Sequence, residues 1–467
     1  MASYKKLGKN VVLLTIGNFA SKVLTFLLVP FYTAILTTAE YGTADLITTT
    51  VNLILPFFTI LVYESVMRFS LDNGCDRSQV FSIGFYITLI GCLVLVGCSP
   101  LLLLIDKLKD YIVLFVLYYV TMSFYNLVLQ FTKGIEKVHI YSLAGIINTI
   151  IYLLCNIIFL LLLDMRIEGY LLAAIIGHSV SAVFAFLAVK GYRYILPVNR
   201  LNKVQRKEML RYSLPMVPNA VSWWVSNSSD KYILTFFWGV AASGVYSVAY
   251  KIPSILTIFV SIFISAWQIS AVEDFGSEES KNFYEDTYSK YELMIYLIAS
   301  CLIAITKPLS RILFAKEFFV AWKYVPILIY AFIFNSLASF LGSIYTSAKK
   351  TKMLFYSTII GAVFNIVFNI ILIPIIGEFG AAIATAASYI VVWLIRIIGS
   401  NKFFPIKVNW IRSLFGNLIL IGAIVCISID FNPYYICSIL IIVIMTFICR
   451  SIIKDIFKVL LKVENKK

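Results

Sequence analysis

The chain has 467 residues, 61% hydrophobic and 13% charged, with a formal net charge of +15 and a mean hydropathy of +0.91. A water-soluble domain of this length carries roughly twice that charged fraction, so the composition excludes a soluble globular enzyme and makes lipid the main solvent. The positive charge lies in short breaks between apolar runs rather than on one folded face, which argues against nucleic-acid binding.

A span across about 30 Å of hydrocarbon needs about 20 apolar residues. On that measure the sequence predicts an all-α polytopic membrane protein of about fourteen transmembrane helices. The runs lie near 10–36, 39–66, 79–104, 110–132, 140–163 and 168–190, then 211–238, 241–271, 289–306, 322–347, 352–375 and 379–399, and finally 411–430 and 433–450. The first run follows Lys5, Lys6 and Lys9, is too long for a signal-peptide core, and reads as an uncleaved span starting inside. Pro56, Pro215, Pro218, Pro253, Pro326 and Pro374 lie in or beside spans as candidate kinks. The eight cysteines sit mostly in apolar runs, with no CxxC pair and no histidine at metal spacing, and read as small hydrophobes.

Lys and Arg set the orientation. Lys133, Lys137, the stretch Lys190 to Arg211, Lys349, Lys350, Lys352, Lys402, Lys407 and the tail from Arg450 onward fall on one side, which places both termini in the cytoplasm. A basic outer loop at 307–323 and an acidic inner loop at 272–288 cut against the rule without overturning it. The stretches Asn199 to Arg211 and Ser451 to Val463 are amphipathic and read as helices lying on an anionic inner leaflet.

The chain also repeats itself. Tyr141-Ser142, Asn148, Asn156 and Ala173-Ala174 echo Tyr356-Ser357, Asn365, Asn369 and Ala381-Ala382; Glu40-Tyr41-Gly42 through Asp45 resembles Ser243-Gly244-Val245-Tyr246-Ser247. The copies are roughly 200 residues, or six spans, apart and so share one orientation. This divides the chain into a six-helix lobe (1–190), a cytoplasmic amphipathic linker (191–210), a second six-helix lobe (211–400), two further transmembrane helices (401–450) and a cytoplasmic amphipathic tail (451–467).

Several stretches resemble one family. They are Gly17-Asn18, Lys22, Leu27 to Thr33, Leu36-Thr37, Glu40-Tyr41-Gly42 and Asp45-Leu46; Glu64 with Arg68-Phe69-Ser70-Leu71-Asp72; Arg211 to Pro215 with Pro218-Asn219; Asp230 to Leu234; Gly244-Val245-Tyr246 with Ala249-Tyr250-Lys251; and Gly377-x-x-Gly380-Ala381-Ala382. In these the chain is similar to the polysaccharide-transporter (oligosaccharide flippase) family of the multidrug/oligosaccharidyl-lipid/polysaccharide exporter superfamily. The similarity covers most of the first twelve spans. It implies two lobes around a central cavity and alternating access that carries a lipid-linked oligosaccharide to the outer leaflet of a bacterial cytoplasmic membrane. The partners implied are that substrate, membrane lipids, and the glycosyltransferases and polymerase of surface polysaccharide assembly.

A charge at the centre of a span costs roughly 2.5–3.5 kcal/mol, so each needs a reason. Lys22 and Lys251 fall roughly 15–17 Å into their spans, both near the midplane, in the first span of one lobe and the second span of the other. They are predicted to cradle the lipid diphosphate, or else to pair with acids and hold helices together. Asp230 and Lys231 point about 100° apart, one toward a cavity and the other toward a neighbouring helix. Glu64 and Arg68 are spaced i, i+4 for a local ion pair near the inner end of the second span, readable as a gate or a substrate contact. Arg396, near the inner end of the twelfth span, either snorkels or meets substrate. Asp45 either pairs with Lys22 or binds a coupling cation, H+ or Na+, and no other cofactor or metal is expected. His178 reads as a helix-packing hydrogen bonder before a proton relay. Trp223, Trp224, Tyr32, Tyr63 and Tyr250 read as belt or packing residues before sugar-stacking ones.

No Walker motif, serine-protease arrangement or HExxH occurs, so the expectation is a transporter and not an enzyme. The alternatives are a drug/cation antiporter of the same superfamily, which needs an acidic cavity, and a membrane polymerase or ligase, which needs a large outer loop.

Overall fold

The computed structural model describes residues 26–72, 74–100, 109–273, 278–347, 351–401, 406, 408–428, 442–444 and 446. Lys22, most of the expected last span and the tail from 451 lie outside them. Every regular element among the described residues is a helix. The chain divides into two compact units, residues 1–224 and 225–467.

The first unit contains α1 (Val29–Ile35), α2 (Thr38–Thr59), α3 (Val62–Ser70), α4 (Arg77–Cys98), α5 (Ile112–Gly134), α6 (Val138–Asn156), α7 (Arg166–Ala188) and α8 (Lys203–Ser213). A π-helical turn, Ile157–Leu162, extends α6. The division falls within α9 (Met216–Trp238). The second unit adds α10 (Val240–Ala249), α11 (Ser254–Glu273), α12 (Glu278–Ala304), α13 (Thr306–Leu313), α14 (Val325–Ser347), α15 (Thr351–Ser400) and α16 (Trp410–Ser428).

Seven described helices are long and apolar enough to cross a membrane, and three bent pairs raise the number to ten if each pair is one span. The solvent they suit is visible on α6. Leu143, Ile146, Ile150, Leu154, Ile157 and Leu161 recur every three or four residues along an exposed face, a stripe that lipid accepts and water does not. By contrast α14 is apolar all round and buried on nearly every side, as the central helix of its unit.

Local sequence explains the breaks. Thr37 and Glu40 form a capping box that starts α2, with Glu40 N–H donating to Thr37 Oγ1 at 3.2 Å and Thr37 N–H to Glu40 Oε2 at 2.8 Å. The helix ends where Ile60 and Leu61 both take left-handed backbone angles, and α3 departs at 63°. At 50 residues α15 would be about 75 Å long, more than twice the hydrocarbon thickness. It is broken at Ile376–Gly377, where Gly377 has φ 56° and ψ −131°, so its two arms form a hairpin. Each unit locks such a hairpin in the same way. Ser181 on α7 donates to the Ala144 carbonyl on α6, and Ser388 donates to the Gly361 carbonyl across the α15 break.

Three expectations change. The stretch 199–211 is not simply laid on a leaflet: α8 docks on α3, burying Met209, whose carbonyl accepts from Ser65 Oγ at 2.7 Å. The acidic loop at 272–288 is mostly helix, because α12 begins at Glu278. The outer loop at 307–323 is also folded, as α13 and a 3-10 segment, Lys316–Lys323, with Lys307 Nζ 4.7 Å from the Trp322 ring.

Gly91 on α4 meets the end of α2 so closely that a Cβ would lie 2.1 Å from the Phe58 carbonyl oxygen. Gly91→Ala is expected to lower stability by about 1–3 kcal/mol, read as a lower unfolding midpoint in detergent.

Candidate functional site

Within the second unit, one acid is fully enclosed. Asp230 on α9 is 1% exposed. Its Oδ2 accepts from Tyr250 OH at 2.8 Å and from Thr385 Oγ1 at 3.4 Å, and its Oδ1 accepts from the Lys231 N–H at 2.9 Å. Tyr246 OH lies 3.4 Å from Thr385 Oγ1 and 3.5 Å from Tyr250 OH. The neighbouring turns are polar too. Tyr389 donates to Asn227 Oδ1 at 2.7 Å, while Ser229 and Asn369 both donate to Asn365 Oδ1 at 2.9 Å. Two amide atoms there, Asn365 Nδ2 and Asn369 Oδ1, are buried without a partner.

The cage arises because α9 is unusually polar for a helix of its length. Asn227, Ser229 and Asp230 fall within about one turn, and α10 and both arms of α15 close around them. Tyr250, Thr385 and the Lys231 N–H donate to the acid as neutral groups, and the Lys231 ammonium acts on it as a nearby positive charge. An ionised carboxylate buried in this way is costly unless a proton or a metal cation joins it. Oxygen donors suit a proton or a hard cation. No group of three His, Cys, Asp or Glu able to hold a metal occurs among the described residues.

Lys251 follows Tyr250 directly, at the 42° bend between α10 and α11. Its backbone is used locally, with its N–H donating to Val248 O at 3.0 Å and its carbonyl accepting from Ser254 Oγ at 2.6 Å. Lys251 is half-buried, and its ammonium has no hydrogen bond or ion pair among the described residues. Lys231 is half-buried beside the acid, within electrostatic reach of it.

Other expectations resolve differently. Arg68 does not pair with Glu64; its guanidinium bonds Asp72, while Glu64 faces α5 and accepts from Gln130 Nε2 at 3.4 Å. Arg68 has acids four residues away in both directions, and Asp72 is on its exposed side. Arg396 does not snorkel. It is 3% exposed and donates to Ser357 Oγ (3.0 Å), the Ala338 carbonyl (2.7 Å) and Thr358 Oγ1 (3.1 Å). It therefore clamps α14 to both arms of α15. Asp45 is half-buried within electrostatic reach of Tyr118 and Tyr170, and its expected pairing with Lys22 lies outside the described residues.

The aromatic residues also find internal partners. Tyr250 serves the buried acid, Tyr32 OH donates to Tyr152 OH at 2.9 Å, and the Trp224 indole donates to the Thr49 carbonyl at 2.9 Å. His178 lies 5.5 Å from the Tyr118 ring and 4.9 Å from that of Tyr125, and its Nδ1 makes no hydrogen bond.

Sequence reasoning missed a second polar centre. Glu292 on α12 is 1% exposed and pairs with Arg412 Nη2 on α16 at 3.0 Å, while Ser413 Oγ donates to it at 2.6 Å. Asn417 donates to Tyr296 OH at 2.8 Å one turn further on. An acid three residues inside an expected span and an arginine one residue inside another were the available signals.

Comparison with known proteins places this geometry. A family model described as "Polysaccharide biosynthesis protein" matches residues 7–268, and one described as MatE matches residues 215–371. The "Probable low-salt glycan biosynthesis flippase Agl15" of Haloferax volcanii is 23% identical over 208 residues, 44% of each chain. The chain spans about half the length of such curated relatives. Among solved structures, "Lipid II flippase MurJ, inward closed conformation" superposes with a TM-score of 0.73 at 16% identity, covering 96% of this chain and 100% of that one. An inward-facing multidrug resistance MATE family transporter gives 0.62 at 14% identity, covering 86% of this chain and 98% of that one. At these identities the structural likeness shows the fold alone.

If Arg396 is a clamp, Arg396→Lys and Arg396→Leu are both expected to destabilise, because neither replaces a three-way donor fork. Leu should cost more than about 3 kcal/mol through its unpaired acceptors. Thermal unfolding measures this, and transport per folded molecule should be unchanged.

Proposed function

Because the chain belongs to the polysaccharide biosynthesis protein family, and so to the flippases of its superfamily, we propose that it moves an undecaprenyl-diphosphate-linked oligosaccharide from the inner to the outer leaflet of the bacterial cytoplasmic membrane by alternating access. The observation that carries this reading is Lys251, an ammonium at a helix bend in a span, with no hydrogen bond or ion pair among the described residues. A compact cation in that position suits the charged phosphates of a lipid carrier, which otherwise meet only hydrocarbon as they cross. A cationic drug would be repelled there, which favours the anionic lipid over the antiporter alternative. The relatives are transporters, which speaks against the polymerase or ligase.

Asp230 supplies the coupling. With H+ or Na+ bound, the acid is neutralised and holds Tyr250 through its hydroxyl. Loss of the cation leaves a buried charge whose donors must rearrange. Tyr250 is joined by one peptide bond to Lys251, so that rearrangement acts on the α10–α11 bend and on the ammonium it presents. The lysine thus engages or releases phosphate according to the state of the acid.

Two measurements test the reading in proteoliposomes containing a fluorescent lipid-linked oligosaccharide. Lys251→Ala should slow leaflet-to-leaflet transfer by about ten-fold or more, the loss of one charge-assisted contact, with Lys251→Arg intermediate. Unchanged transfer in Lys251→Ala overturns the phosphate contact. Asp230→Asn should abolish the response of transfer to an imposed pH or Na+ gradient; a retained response removes the acid from coupling.

A further inference from the structure

A cavity of about 200 Å³ opens on the first unit between α4, α5 and α7. Every side chain lining it is apolar, including Phe81, Phe85, Phe124 and Phe186, with Val128 and Val183 along its sides. Val183 is 57% exposed, so the groove opens on the outer face of the unit. Within a bilayer such a groove is filled by hydrocarbon, and van der Waals fit decides which chain stays.

The rim at one end of the groove is basic and fixed in place. Phe186 packs on Gly191, and Phe131 joins Phe81 (4.5 Å) to Tyr194 (5.0 Å), so the groove ends directly against the segment that follows α7. One face of α4 staples that segment down. Ser82 Oγ donates to the Tyr194 carbonyl at 2.8 Å and accepts from Leu196 N–H at 2.7 Å. Tyr86 OH donates to the Leu196 carbonyl at 3.1 Å, and Gln79 donates to the Arg200 carbonyl at 2.8 Å. From Lys190 to Lys207 the segment contains no acidic residue. Lys190, Arg193, Arg200 and Lys203 are exposed, and none forms an ion pair among the described residues. Tyr192, Val198 and Val204 are exposed between them, as in a chain lying at a membrane interface.

We propose that this groove and rim form a binding site for one anionic phospholipid, with an acyl chain along the phenylalanines and the phosphate against Lys190, Arg193, Arg200 and Lys203. The apolar groove accepts any tail of suitable width; the four exposed basic side chains select the headgroup. The site is separate from Asp230 and Lys251 and does not rest on the transport reading.

Native mass spectrometry of the full chain, titrated with phosphatidylglycerol or phosphatidylcholine in detergent, tests the site. Phosphatidylglycerol should bind in preference, at a stoichiometry of about one tight site. Replacing the four rim residues by Gln should weaken it by up to about five-fold per charge, the equivalent of about 1 kcal/mol each, and bring the two lipids level. Val183→Trp, at the exposed edge of the groove, should lower retention of both lipids without disturbing the headgroup preference. Equal binding of the two lipids by the unaltered chain overturns the proposal, as does a preference that survives the Gln variant or retention unaffected by Val183→Trp. Displacement of phosphatidylglycerol by an undecaprenyl phosphate at equal concentration also overturns it, by giving the groove to a carrier tail instead.

Discussion

In hydrocarbon a polar group has no solvent to fall back on, so the protein must satisfy it from within. Arg396 donates to two hydroxyls and a carbonyl on three helical arms, and so locates those arms relative to one another. Glu292 and Arg412 join α12 to α16 with Ser413 closing the pair. Asp230 gathers α9, α10 and α15 through hydroxyl groups. The apolar surface makes these helices compatible with the membrane without choosing their neighbours, because lipid tails are as apolar as leucine. The polar contacts do the choosing.

The same constraint separates charges occupied by the fold from charges it leaves available. Arg396 and Glu292 are buried and held by internal contacts, which leaves them little to offer a substrate. Lys251 is the contrasting case. It lies at a bend in a span and its ammonium meets no described partner. Bends matter because they free a helix from a straight path. Tyr250 and Lys251 are successive residues, and one serves a buried acid while the ammonium of the other meets no partner among the described residues.

The helices themselves were legible in the sequence, because a run of apolar residues long enough to span a membrane has few other interpretations. The break between the arms of α15 was legible too, since Pro374 and Gly377 stand where the run is interrupted. Pairing was not legible. Arg68 has an acid four residues before it and another four after it, and only the turn of α3 toward α5 decides between them. Arg396 sits where a snorkelling arginine would, but Ser357, Thr358 and the Ala338 carbonyl, about 40 to 60 residues away, supply acceptors that no local pattern announces. Tyr250 resembled a belt residue for the same reason: its partner lies 20 residues earlier. The acidic and basic stretches at 272–288 and 307–323 looked like loops because charge was read as a break, whereas α12 and α13 carry that charge on helical faces.

The internal repeat separates what is shared between the units from what each has of its own. The serine-to-carbonyl lock of the hairpin recurs in both units, at Ser181 with Ala144 and at Ser388 with Gly361. A contact of this kind fixes two adjacent helices and is useful whatever the unit does. The bent span also recurs, but its bend does not keep its place. In the first unit the break follows 22 residues of α2, next to Glu64 on α3; in the second it follows only 10 residues of α10. The earlier bend sets Tyr250, at the end of α10, against Asp230. The scaffold is therefore duplicated, while the juxtaposition of a buried acid, its tyrosine and an open lysine is a property of the second unit's own bend.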